Sequence, residues 1–298
     1  MYNSKHIAGM LHMQSFSRLT ILGLLSLLSL TCQAGAMDRE WEQQIAERLA
    51  EQAEVTETVW LKAGEEEFLG LFNRQTSDKA GGAIIILHGM GAHADWPRLI
   101  SPLRLSLPEQ GWSTLSIQLP LVAIDNPVED YGKTLVAATA RLEAAVRFLR
   151  TRKYLNIVVV GHSFGAATVL SYLSDPQRPR ILALAAIGLQ EYPFLKPAIN
   201  VLALIEAAQL PILDIYGARD YRRVRNHAPD RRLAAKKAGN KNYRQVEVPG
   251  ANHYFYKMED VLAKQIRGWL DKAAPGVSIM VDQDFDGNDE DQQQQQQQ

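Results

Sequence analysis

Cysteine is almost missing from this chain of 298 residues, and the only one is Cys32. A protein cut downstream of it would have no thiol, which excludes disulfides, cysteine nucleophiles and thiolate metal sites. An excess of charge of either sign is also lacking, the formal net charge being -1. Lys5 and Arg18 precede residue 37 and six of the 33 acidic residues follow residue 281, so the body between them holds 30 basic against 27 acidic side chains. That balance builds no extended phosphate footprint, and nucleic acid is not expected as a partner. Long apolar runs are absent too. The run Leu19 to Leu30 is about twelve residues, too short to cross a bilayer comfortably.

That short run belongs to a different kind of segment. Lys5 and Arg18 lie before it and Ala34-Gly35-Ala36 supplies a small-x-small cleavage pattern after it. Residues 1–36 are therefore expected to be a secretory signal peptide, with Met13 an alternative start, and the product to be exported and periplasmic in a two-membrane host. Cys32 offers the alternative of a lipid anchor. At the other end, Asp282, Asp284, Asp286, Gly287 and Glu290 imitate the start of a calcium loop, but Gln293 stands at the twelfth place and glutamines run to Gln298. Residues 277–298 are expected to be an acidic, glutamine-rich disordered tail that holds no metal.

Between these ends, residues 37–276 can bury one substantial core, the whole chain being 46% apolar. A helix is expected over Asp38 to Glu54 with Trp41, Ile45 and Leu49 on one face, then a hairpin of short strands, Thr56 to Trp60 and Glu67 to Phe72. From residue 83 to 270 apolar strands alternate with helices. Strands are expected at Ala83–Leu87, Ser113–Gln118, Ile157–Val160, Ile181–Ile187, Ile212–Tyr216 and Tyr243–Val248. Helices are expected over Trp96–Leu107, around Leu135–Leu149 with Arg141 on its outer side, over Ala166–Leu173 and Ala198–Ala208, then a basic Arg231–Lys237 and Val261–Leu270. This alternation predicts an α/β fold, one domain with a mostly parallel central sheet and helices on both faces.

Asn156 to Ser174 is the stretch around which the rest is arranged. A buried strand runs into Gly161-His162-Ser163-Phe164-Gly165 and then into a helical pattern, the context in which G-x-S-x-G presents a serine above a sheet. Ser163 is the candidate nucleophile. Ligands in such sheets bind beyond the carboxyl ends of the strands, and His88, Asp220 and His253 also fall just past strand ends. A serine needs an imidazole to take its proton and a carboxylate to orient that imidazole, roles open to His253 and Asp220. Asp220 could instead be a helix cap or pair with Arg219 or Arg222, and Asp214 is a rival acid that would need a partner inside its apolar strand. His253 could be an ordinary loop residue. His88 reads as shaping its turn and His162 as packing. Backbone N–H groups of Met90 and Phe164 are candidate oxyanion donors.

His88-Gly89-Met90-Gly91, Gly161-His162-Ser163-Phe164-Gly165, Gly217-Ala218-Arg219-Asp220 and Gly250-Ala251-Asn252-His253 occur in that order. In this the chain resembles the α/β-hydrolase superfamily from about Val55 to Leu270, and looks most like an uncharacterised exported bacterial branch of it. The resemblance implies a Ser163–His253–Asp220 triad, an oxyanion hole at Met90 and Phe164, and His88, Gly89, Gly91, Gly161 and Gly165 as supporting motif positions. It also implies a serine hydrolase of the carboxylesterase type, acting on a small-molecule acyl substrate, a short-chain ester or thioester, without a cofactor. An amidase or peptidase, or a non-catalytic envelope binding or maintenance protein on the same scaffold, are the alternatives. Residues 190–210 leave room only for a small cap, so a shallow, open acyl pocket near Met90, Phe164, Phe194 and Leu195 is expected. The cluster Arg219, Arg222, Arg223, Arg225, Arg231, Arg232, Lys236 and Lys237 reads as a solvated face, with a weak attraction to anionic membrane surfaces as its functional alternative. Oligomeric state is not specified by the sequence.

Overall fold

The computed structural model describes residues 37–53 and 56–275. The expected signal peptide, including Cys32, and the expected tail lie outside the described residues. Eight strands form one sheet in the order β1-β2-β4-β3-β5-β6-β7-β8. They are β1 (Glu57–Ala63), β2 (Glu66–Asn73), β3 (Gly82–Leu87), β4 (Trp112–Ile117), β5 (Ile157–His162), β6 (Leu184–Ile187), β7 (Ile212–Arg219) and β8 (Tyr243–Asn252). The first two make an antiparallel hairpin turning through Gly64 and Glu65, where Gly64 takes φ +64°. β2 also runs antiparallel to β4, and every remaining neighbour pair is parallel. The mostly parallel α/β architecture expected from the alternation is the one found.

Eight α-helices accompany the strands among the described residues: α1 (Arg39–Glu51), α2 (Ile100–Ser106), α3 (Tyr131–Thr151), α4 (Phe164–Leu173), α5 (Val201–Ala207), α6 (Arg222–Asn226), α7 (Ala228–Lys237) and α8 (Glu259–Ala273). The central strands are apolar on both sides because both sides are covered. Ile85 and Val159 face a core with α3, α4 and α5, whereas Ile84, Ile86, Val158 and Val160 face α2 and α8. In α8, Leu262, Ile266 and Trp269 are buried as their spacing predicts.

Three expectations are corrected by partners distant in sequence. In α1 the buried residues are Glu42 and Ala46, while Trp41 is exposed. Arg141 is not on the outer side of α3 but buried, its Nη1 2.5 Å from Glu42 Oε1 and 3.1 Å from the carbonyl oxygen of Gln118. This pair brings one charged side chain of each helix inward, and desolvation raises the Glu42 carboxyl above its ordinary value despite the arginine. Arg231, placed with the solvated face of α7, is fully buried. The helix expected from Trp96 begins only at Ile100, which puts Pro102 in its first turn; a start at Trp96 would drive the proline ring into the carbonyl four residues before it.

Candidate active site

β5 ends at His162 and α4 begins at Phe164, so Ser163 alone carries the reversal, at φ 52° and ψ -115°. Its N–H donates to the carbonyl of Ile187 at 2.8 Å, tying the turn to β6. The turn is tight enough to exclude side chains on both sides. A Cβ on Gly161 would lie 2.6 Å from the Ala166 backbone, and one on Gly165 would lie 2.6 Å from the carbonyl oxygens of Leu87 and His88. A Cβ on Gly89 would come within 3.1 Å of His162 Nδ1. Gly91 has open space around it and is required instead for its backbone, at φ +68°.

The β3 loop is held from two directions. His88 is buried. Its Nε2 accepts from the Leu119 N–H at 2.9 Å, so Nδ1 carries the proton and donates to the Gly89 carbonyl at 2.8 Å. Burial lowers its pKa to about 3, so the ring stays neutral. Tyr131 Oη accepts from the Gly91 N–H at 2.8 Å. Between these anchors, the N–H of Met90 donates to no protein acceptor among the described residues, and neither does that of Phe164. Two unpartnered donors therefore flank the serine turn.

His253 lies at the end of β8 and Asp220 just after β7. His253 Nδ1 and Asp220 Oδ1 are 2.6 Å apart, and both residues are buried. The same carboxylate accepts from the N–H of Tyr221 at 2.7 Å and, at 3.5 Å, from that of Gly217. It makes no ion pair with Arg219 or Arg222; Arg225 Nε donates instead to the Asp220 backbone carbonyl at 3.0 Å. Asp214 has its own buried arginine, with Arg231 Nε at 2.9 Å and Nη2 at 3.2 Å, and accepts from Tyr243 Oη at 2.6 Å and Gln245 Nε2 at 2.8 Å. Both oxygens of that rival acid are thus engaged, with Arg231 of α7 and with Tyr243 and Gln245 of β8.

The imidazole of His253 is packed as well as hydrogen-bonded. Tyr221 stacks on it at a centroid distance of 4.2 Å and 27°, and His162 lies at 4.6 Å. His162 Nε2 donates to the carbonyl of His253 at 3.1 Å, and burial, followed by the neighbouring His253, holds its pKa well below the ordinary histidine value. A Cβ on Gly188 would meet the His253 ring at 2.9 Å. Ser163 Oγ bonds not to His253 but to Tyr192 Oη, at 3.1 Å. Tyr192 comes from the loop between β6 and α5, which is closed by a bridge from Tyr192 to Ile199. This loop is a small cap, as the segment length implied, yet the site beneath is less open than expected. Ser163 keeps 5% of its surface, and Leu195, expected to line the pocket, is buried in the core.

Gly188, Tyr192 and Tyr221 were not singled out from the sequence. Gly188 had a signal: it follows the apolar run 181–187, at the same kind of strand end as the four motifs. Tyr192 had none, since only the fold of an irregular loop brings its hydroxyl back over Ser163. Among the described residues no group of three or more His, Cys, Asp or Glu side chains could hold a metal ion.

A family model described as "Protein of unknown function (DUF3530)" matches residues 33–133 and 129–272. No curated protein matches the chain. Among solved structures, an esterase of Pyrococcus furiosus superposes with a TM-score of 0.60 at 18% identity, over 76% of this chain and 93% of that one. Est1E from Butyrivibrio proteoclasticus gives 0.57 at 16% identity, over 72% and 97%. A Xanthomonas campestris protein titled a member of a/b serine hydrolase without lid gives 0.56 at 16% identity, over 75% and 97%. The fold is that of the α/β-hydrolase superfamily.

Proposed function

The chain belongs to the family described as "Protein of unknown function (DUF3530)", and from the constellation around Ser163 we propose that it is an exported serine hydrolase of the carboxylesterase type. The observation that carries this reading is the buried 2.6 Å contact of His253 with Asp220 beside a serine held at positive φ on a strand-to-helix turn. In the proposed reaction Ser163 Oγ attacks the acyl carbon while its proton passes to His253 Nε2. The carbonyl π electrons move to oxygen, which the N–H groups of Met90 and Phe164 receive. Collapse breaks the bond to the leaving alkoxide, which takes the proton from His253. Water then repeats the sequence on the acyl-enzyme. Asp220 holds the imidazole tautomer that leaves Nε2 free to accept. No cofactor is required.

The short cap and the rings packed beside the site, Tyr221 and Tyr254 on His253 and Phe194 on Tyr192, support short acyl groups on aryl leaving groups. A slot gains about 0.8 kcal/mol per methylene until it is full. Over a C2 to C16 series of nitrophenyl esters, kcat/KM should therefore peak at or below roughly C8 and fall beyond it. Asp220→Ala and His253→Ala should lower kcat by about a thousandfold or more while KM stays within a few fold, because both groups act on the proton in transit. A steady rise through C16 would refute the shallow acyl site. Turnover of amides with no turnover of esters would keep the nucleophile and replace the esterase assignment.

Export rests on the sequence of residues 1–36. N-terminal sequencing of the secreted product should begin at Met37; a lipid-modified Cys32 would replace the signal-peptidase reading with an anchored protein.

A further inference from the structure

Tyr192 is out of place for a residue that merely fills a core. It is fully buried, its ring packs edge-on to Phe164 at 6.1 Å, and its hydroxyl ends 3.1 Å from Ser163 Oγ. That contact has two possible directions at rest, and the reaction selects one. Once Ser163 Oγ has given its proton to His253 it can only accept, and the Tyr192 O–H is the donor within reach of it. Burial raises the Tyr192 pKa, so the donor is present throughout the working pH range. With the Tyr192 O–H directed at Oγ, Ser163 keeps its own proton for His253, although the two are not hydrogen-bonded in the resting structure.

We propose that Tyr192 is a catalytic residue that donates a hydrogen bond to Ser163 Oγ, stabilising the negative charge on that oxygen whenever it is losing its proton or leaving carbon. This rests on the serine hydrolase reading. Its chemistry differs from that of the oxyanion hole, which serves the other oxygen of the tetrahedral intermediate. In acylation the Oγ–H bond breaks toward His253 Nε2 as the Oγ–carbon bond forms, and the Tyr192 O–H accepts the charge developing between these events. In deacylation water adds to the acyl carbon, giving its proton to His253. The carbon–Oγ bond then breaks, and Oγ departs as an incipient alkoxide that takes the proton back from His253. Tyr192 stabilises this departure directly. A donor to a charged oxygen in a dry site is stronger than one to a neutral oxygen, so the bond is tighter in the transition state than at rest. The loop bridge from Tyr192 to Ile199 fixes the ring for this task.

The test is Tyr192→Phe, which keeps the ring and removes one oxygen, followed on nitrophenyl acetate by steady-state and stopped-flow kinetics. Wild-type turnover that vanishes in Ser163→Ala secures the underlying reading; no wild-type turnover, together with no fluorophosphonate labelling of Ser163, would sink that reading itself. With turnover present, Tyr192→Phe should lose about 10- to 100-fold in kcat with KM little changed. Both the burst rate and the steady rate should fall, because release of Oγ slows as well as its attack. Replacement by fluorotyrosines of decreasing pKa keeps the shape and the hydroxyl, and the rate should track the donor's acidity. An unchanged kcat in Tyr192→Phe at wild-type melting temperature would overturn the proposal. So would a faster variant, which would make the contact a restraint on Ser163, or fluorotyrosine rates that ignore pKa, which would make Tyr192 a packing residue.

Discussion

Ser163 holds a backbone conformation that most L-residues avoid, at a cost of roughly 1–3 kcal/mol. It persists because the Ile187 carbonyl fixes its N–H and because Gly161 and Gly165 remove the atoms that would collide. Gly188 serves the other half of the site in the same way. At φ +59° it leaves the space that the His253 ring fills, with a prospective Cβ 2.9 Å from ring Cε1 and Nδ1 and 3.4 Å from Asp220 Oδ2. Gly188→Ala should fold with a loss of about 1 kcal/mol for the left-handed backbone while displacing the imidazole. A small shift in melting temperature with kcat down roughly 100-fold is expected, since misplacing a proton acceptor by about 1 Å has that effect. Full activity in this variant would show that His253 is not where the proton goes. Residue-scale burial also sets a pH dependence. His88 and His162 have native pKa values held below the ordinary 6.5, so between that value and their native ones the unfolded chain binds protons that the native chain does not. Stability is therefore full above about pH 6.5 and falls as the pH drops, by up to about 1.4 kcal/mol per pH unit for each histidine. Urea titrations at pH 7.5 and pH 5 check this; equal stabilities would contradict it.

At the scale of elements, two helices are docked by a buried ion pair as well as by apolar contacts. α1 meets the domain through Glu42 and Arg141, 99 positions apart, and through the bond from the Asp38 N–H to the Leu121 carbonyl. α7 is fastened through Arg231 to Asp214 inside β7. Removing one partner leaves the other buried and uncompensated, at a cost of about 3–5 kcal/mol. Glu42→Ala should thus lower the melting temperature by roughly 6–12 °C, taking about 3 kcal/mol for a domain of this size. A change of a degree or less would mean that Arg141 is satisfied by Gln118 and Glu66 alone. These are also the places where the sequence misled. Helical periodicity marks Trp41, Ile45 and Leu49 as a face because it weighs residues singly; Leu49 does pack on the core, but Trp41 is exposed, because an arginine far along the chain makes Glu42 an inward residue. Asp214 was legible halfway: an acid in an apolar strand demanded a partner, but nothing in the order of residues named Arg231. The strands and the central turn were legible because their signals are local, in four to six apolar residues followed by glycine or histidine.

On the scale of the whole molecule, the sheet is what turns distant motifs into one site. β3, β5, β6, β7 and β8 lie side by side in parallel, so the segments that follow them emerge on one rim. Met90, Ser163, Gly188, Asp220 and His253 each come from a different one of those ends. A motif at a strand end could therefore be read from the sequence together with its destination, whereas Tyr192, arriving through an irregular cap, could not. The central claim is that this rim makes Ser163 a nucleophile. Exposing the folded mature protein to a fluorophosphonate probe and mapping the adduct by mass spectrometry tests it most directly. The account predicts one adduct, on Ser163, formed far more slowly in His253→Ala and absent in Ser163→Ala. Folded protein that remains unlabelled, or labelling that survives Ser163→Ala, would contradict it.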